Sequence, residues 1–213
     1  DGWSSSVFQA ELIALYNAGL ENRTPGLKPL LIDYADYSAW QRTQSSTSEA
    51  RAHLASWVDD LSSIPAGPYL YTELGPGGLP HSATHAFSLS AGVTQALHNL
   101  ASRSNCTLFM LLLAAYYALL CRWTGQTDIV VGVPVSGRSL PELEPLVGVF
   151  INPLPLRCSI DPAAPFSSLL ARVRQVCLDA FSRQDTPFEQ IVEALNPPRV
   201  PNQPVLFQTL FQL

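Results

Sequence analysis

Residues 107–138, TLFMLLLAAYYALLCRWTGQTDIVVGVPVSGR, decide how the chain is read. Thr107–Leu120 is apolar nearly all round, which predicts a helix buried on most sides. Its uninterrupted apolar run, Leu108–Leu120, is thirteen residues long, too short to cross the hydrocarbon core of a bilayer. Ile129–Val135 (IVVGVPV) follows as a β-branched run, the pattern of a strand covered on both faces. A buried helix feeding such a strand predicts a layered α/β architecture.

The alternation continues outward. Downstream, Val149–Arg157 (VFINPLPLR) is strand-like, but Pro153 and Pro155 cannot donate to a ladder, which places it at a sheet edge or a crossing point. Phe166–Phe181 has the period of an amphipathic helix, Phe188–Leu195 predicts a short helix, and Val205–Leu213 reads as a closing apolar strand. Upstream, Ser90 caps a helix carrying Val93, Leu97 and Leu100, and Thr84–Leu89 alternates like a strand. Residues 62–82 are crowded with proline and glycine, which is linker chemistry and sets a lobe boundary. Before it, helices are predicted at Ser4–Asn22, with serines available as N-caps, at Tyr34–Arg42 and at Ser48–Leu61. Tyr34, Tyr37 and Trp40 share one face of the second of these.

Composition narrows the function classes. Of 213 residues 47% are hydrophobic and 14% charged, a balance that excludes a disordered chain. The net charge is −5 and Lys28 is the only lysine, so no basic stripe exists to grip nucleic acid. The opening Asp1-Gly2-Trp3-Ser4 has neither the cationic start nor the apolar core of a secretory signal. Cys106, Cys121, Cys158 and Cys177 lack CxxC spacing and do not cluster with His53, His81, His85 or His98, which points away from zinc and from a disulfide framework. Reduced thiols in a cytoplasmic protein is the expectation, with no membrane partner.

Read from the residues alone, the inventory of chemistry is thin. No serine or cysteine stands in a nucleophile elbow, and Gly125, Gly132 and Gly137 do not form GxGxxG, so turns and close packing explain them. None of the four histidines has an evident orienting carboxylate. Composition and spacing stop at an α/β domain.

The order of several short motifs goes further. Asp1-Gly2-Trp3-Ser4, YADYSAW at 34–40, TLFMLLLAAYYALL at 107–120, TGQTDIVVGVPVSGR at 124–138, VGVFINPLPLR at 147–157, RQDTPFE at 183–189 and PVLFQTLF at 204–211 run in one order from end to end. In that order they resemble the condensation domains of nonribosomal peptide synthetases. The resemblance implies a chloramphenicol acetyltransferase-like α/β fold, mainly its C-terminal lobe: a mixed sheet with packed helices. Residues 1–62 would be a helical remnant of the N-terminal lobe, 63–83 the linker and 84–213 the C-terminal lobe. It implies amide formation, in which the amine of a carrier-bound acceptor attacks a carrier-bound donor thioester. No cofactor would bind directly; the substrates ride on phosphopantetheine arms. Implied partners are peptidyl carrier proteins, an adjacent adenylation domain and the missing N-terminal lobe, with a second copy of the chain expected on any exposed lobe face.

The family motif is HHxxxDG, and Asp1-Gly2 match its last two positions, so the catalytic histidine is expected upstream of Asp1 and none among residues 1–213. As motif and structural support the resemblance names Asp1, Gly2 and Arg138. Asp1 and Arg138 are expected to pair, and Gly2 to permit close backbone approach. Asn152 is the tunnel-lining candidate, either donating to a thioester carbonyl or bonding its own surroundings; Pro153 replaces the usual threonine beside it. Gln184 and Asp185, before Pro187, are expected to cap and pack, and Arg199 with Asn202 to be structural. Two other readings stand beside this one: a non-catalytic module that docks carrier or adenylation domains, and a heterocyclisation-type domain, which shares Asp1 and Ser4.

Overall fold

The computed structural model describes residues 1–64, 82–199 and 204–213. The heart of the expected linker, His81 and Asn202 lie outside the described residues. Described are seven α-helices, two strands and one short 3₁₀ turn: α1 (Gly2–Leu20), α2 (Tyr34–Gln44), α3 (Ser48–Leu61), α4 (Ala91–Arg103), α5 (Leu108–Thr124), β1 (Asp128–Val135), the turn at Pro141–Leu143, β2 (Asn152–Ser159), α6 (Phe166–Ser182) and α7 (Phe188–Leu195). The residues sort into two compact units that are discontinuous in sequence. The first gathers Asp1–Ser62, Pro134–Leu154 and Arg183–Asn196; the second gathers Ser63–Val133, Pro155–Ser182 and Pro197–Leu213.

In the first unit each helix start is set by a short polar side chain. Asp1, not a serine, caps α1: its carboxylate accepts the Ser4 N–H at 2.8 Å, which starts the helix earlier than expected. Asp33 and Asp36 form a reciprocal capping box on α2, and Thr47 caps α3. The hydrophobic centre is Leu143, Leu146 and Phe150, with Ile32 and Tyr37 packed against it. Helix α3 lies on α7 and buries Trp57 and Leu61.

The second unit is built around α5, which packs on α4 and α6. Met110, Leu113, Ala114, Tyr117 and Cys121 are buried, while Leu119 and Trp123 stay exposed, so burial leaves one stripe of α5 open. Gly125 ends the helix in the left-handed conformation, φ 73°. Strand β1 has a continuous buried run, as its composition predicts, and β1 and β2 pair as a two-stranded sheet. Within this unit Arg157 pairs with Asp128 at 2.7 Å, and the Tyr117 hydroxyl donates to the Leu156 carbonyl at 2.6 Å.

Two expected strands do not form. Thr84–Leu89 is extended and exposed, with no described segment beside it to complete a ladder; alternation supplies faces but no hydrogen-bond partners. In Val205–Leu213 pairing shrinks to one parallel bridge between Gly132 and Leu210, because Leu206 turns to φ 70° and the Phe207 N–H bonds back to the Val205 carbonyl. Among the described residues no single helix is long and apolar enough to cross a membrane.

The cysteines are free thiols. Burial pushes Cys158 and Cys177 up to about 12 from the usual 9.0. Their neutral form is favoured only in the folded state, so the unfolded chain gives up protons first and stability falls as pH climbs above 9. Between pH 9 and 10, below the usual value of 10.0 for the buried Tyr117 phenol, we expect a loss of about 1 kcal/mol per thiol. Urea midpoints should drop across that interval, and the Cys158→Ala/Cys177→Ala variant should show a flatter, if lower, profile.

Candidate functional site

The sequence-predicted residues meet in the first unit, where the segment following β1 folds back against the start of α1. Arg138 is enclosed, its side chain 1% exposed, and its Nη2 lies 3.5 Å from Asp1 Oδ1 and 2.9 Å from Ser4 Oγ. Its Nη1 donates to the carbonyls of Leu143 and Leu146, tying down the loop that carries the hydrophobic centre. The guanidinium also sits 4.0 Å over the Phe150 ring and 5.9 Å from Trp3. Burial lowers its pKa, and an arginine stays cationic there.

Asp1 does two jobs with one carboxylate. Oδ1 caps α1, and Oδ2 accepts the Phe150 N–H at 3.1 Å. Ser4 completes the latch: its hydroxyl donates to the Gly148 carbonyl at 2.7 Å and accepts the Gly148 N–H at 3.0 Å. Trp3 Nε1 donates to the Glu144 carbonyl at 2.9 Å. These groups bond one another and the surrounding backbone, with the buried Arg138 Nε left unpaired, so the cluster's role is to position backbone. Gly2 departs from its expectation: it opens α1, and a Cβ built on it would meet nothing within 4 Å. The close approach falls instead at Gly137 and Gly148, where a Cβ would stand 1.8 Å from the Phe150 carbonyl oxygen and 2.3 Å from the Tyr34 ring.

Asn152 likewise gives up the thioester role. Its Nδ2 donates at 2.8 Å to both the Gln184 and Thr186 carbonyls, while Oδ1 accepts the Phe188 N–H at 3.0 Å. Its amide therefore caps α7 from another segment and fixes the loop before it. That explains how Pro187 precedes the helix without a cap of its own, and it replaces the capping expected of Gln184 and Asp185. Asn152→Ala would strand those partners, at a cost of about 1–3 kcal/mol. Hydrogen exchange at the Phe188 amide should accelerate in that variant, and less in the isosteric Asn152→Asp, which keeps the oxygen that accepts this N–H and loses only the donors to Gln184 and Thr186.

The loop's other end is held by Arg183. Buried, it pairs with Asp60, donates to Ser56 and stacks 4.1 Å over Trp57, whose indole N–H donates to the Arg183 carbonyl at 3.3 Å. Sequence reading finds Arg183 only as the start of a motif; an aromatic at a core position of α3 is the available signal. Between α2, α3 and this loop lies a cavity of about 450 Å³. Tyr34, Tyr37 and Trp40 line it, with Asn152 and His53; His85 stacks near Phe87 and His98 is exposed on α4. Arg199 is exposed outside the regular elements.

An α/β chain whose opening aspartate is latched to an arginine just beyond β1 carries the arrangement expected of condensation domains. The Condensation domain sequence profile matches residues 1–213, and the chain belongs to that family. Among relatives, it is 40% identical over 214 residues to malpibaldin synthetase of Mortierella alpina, covering 99% of this chain and 4% of that protein. It is 38% identical over 213 residues to phosphinothricin tripeptide synthetase PhsC of Streptomyces viridochromogenes, covering 99% of this chain and 20% of that one. The chain thus spans a small part of these curated relatives. It superposes on the X-domain from teicoplanin biosynthesis with a TM-score of 0.88 at 28% identity, covering 99% of this chain and 48% of that one. On the first condensation domain of the CDA synthetase the TM-score is 0.76 at 24% identity, with 94% and 44% covered, a likeness of fold. The chloramphenicol acetyltransferase-like α/β class expected from the motifs is the fold of these neighbours.

Proposed function

We propose that this chain forms part of a condensation domain that makes an amide bond inside a nonribosomal peptide synthetase. The observation carrying the reading is the family match over residues 1–213, to which the Asp1–Arg138 latch adds support. In the proposed reaction the acceptor amine attacks the donor thioester carbonyl. The C–N bond forms, the C–S bond breaks, and the amine proton ends on the departing thiol. The motif histidine would assist at the amine. Residues 1–213 would supply support: Asp1, Ser4 and Arg138 hold the end of the motif against the loop that carries Phe150. The lobe assignment, residues 1–62 against 84–213, belongs to the same proposal, as do carrier-borne phosphopantetheine substrates, carrier and adenylation partners, contact with an N-terminal lobe, self-association and a cytoplasmic location.

A second reading is a non-catalytic docking module. It is favoured by the superposition on the teicoplanin X-domain, which also has a solved complex with OxyB. One assay separates the two. With donor and acceptor carriers of the full synthetase loaded, intact-protein mass spectrometry should show the donor acyl mass added to the acceptor arm. Two arms that keep their original loads would remove the amide-forming reading and leave docking.

A further inference from the structure

We propose that the cavity of the first unit binds an organic cation, a protonated amine or guanidinium on a short apolar stem. The inference rests on the cavity itself and not on the proposed reaction. One wall is aromatic. Helix α2 sets Tyr34, Tyr37 and Trp40 one turn apart, with centroids 5.9 and 6.0 Å apart in sequence, and Phe150 meets Tyr34 edge-on at 5.2 Å. Such a ladder presents ring faces and edges along a strip several ångströms long, which suits an apolar stem and a cationic head.

Around that wall the charge has one sign. Glu49 on α3, Asp185 in the loop and Glu189 on α7 line the cavity, and among its described lining residues there is no lysine or arginine, His53 being the one basic side chain. The two arginines packed nearby are already engaged, Arg138 by Asp1 and Arg183 by Asp60. The Tyr37 phenol is raised by burial first, then by Tyr34 and by Asp185, with Arg138 acting in the opposite sense, so the Asp185 carboxylate and the Arg138 guanidinium both lie within electrostatic reach of the aromatic wall. Glu49, Asp185 and Glu189 are exposed, and negative charge gathered around a concave surface draws cations and repels carboxylates and phosphates.

The hydrogen-bonding inventory points the same way. Gln41 donates one amide N–H to the Tyr37 hydroxyl at 3.2 Å, and Gln190 donates one to Ser45 Oγ at 2.9 Å, which leaves each amide oxygen as an acceptor. Asn152 has both amide hydrogens bound to carbonyls. The lining thus offers amide oxygens, hydroxyls and carboxylates to a ligand that brings N–H groups. A volume of about 450 Å³ holds such a group with its stem.

The test is calorimetric titration of the full chain with n-butylguanidinium, compared with neutral n-butylurea and anionic pentanoate. Binding of n-butylguanidinium at least tenfold tighter than of n-butylurea, and none of pentanoate, is expected. The Glu49→Gln/Asp185→Asn/Glu189→Gln variant, which removes the cavity's carboxylates and keeps their shape, should weaken it tenfold or more. Trp40→Leu, which keeps every charge, should weaken it about fivefold and abolish ligand-induced fluorescence change. The proposal is overturned by equal binding of the urea, by no heat at millimolar guanidinium, or by affinity that survives in both variants.

Discussion

Replacing Arg138 by alanine is expected to lower the unfolding free energy by about 3–5 kcal/mol. The side chain is 1% exposed and its partner carboxylate on Asp1 only 5%. Truncation therefore leaves a buried anion without its cation and frees the Leu143 and Leu146 carbonyls at the same moment. It also opens a gap beside Phe150, the ring under the guanidinium. Arg138→Lys keeps the charge but not the planar fork that reaches four acceptors, so it should recover less than half of the loss. Urea unfolding, with hydrogen exchange at the Phe150 amide, reads both variants. A value for Arg138→Ala within about 1 kcal/mol of the parent would mean that the cluster is incidental.

Gly137→Ala is the second large effect, for two separable reasons. The residue sits at φ 65°, where a side chain is strained, and its Cβ would lie 1.8 Å from a backbone oxygen that cannot rotate away. Strain and overpacking cost about 1–3 kcal/mol each. Gly125 separates them: it has φ 73° and nothing within 4 Å, so Gly125→Ala carries the conformational cost alone. The midpoint should fall by several degrees more for Gly137→Ala than for Gly125→Ala, at roughly 2–4 °C per kcal/mol. Equal shifts would refute the close approach of Gly137 to Phe150.

Much of the fold is legible in the sequence where one segment determines its own state. Helices α3 and α7 start and stop where period and turn residues place them, and β1 keeps the buried run its β-branched composition predicts. The strands expected at Thr84–Leu89 and Val205–Leu213 fail because a strand is a pairing, and alternation does not name the partner. At the site, the order of motifs brings Asp1 and Arg138 together, but not Ser4, whose hydroxyl bridges them to Gly148. Asn152 does line a cavity, but it is no donor to substrate, since its amide is taken by partners 32–36 residues away. Arg183 escapes sequence reading because its partners sit 123 to 127 residues distant, on a helix whose pattern shows only that one face is buried.

A double-mutant cycle on Asp1→Asn and Arg138→Met, followed by urea unfolding of the full chain, bears most directly on the latch from which the account of the site is built. If aspartate and arginine stabilise the chain as a unit, the paired variant is less damaged than the two single losses added together, by at least about 1 kcal/mol. Losses that add to within about 0.5 kcal/mol would show two independent residues and contradict it.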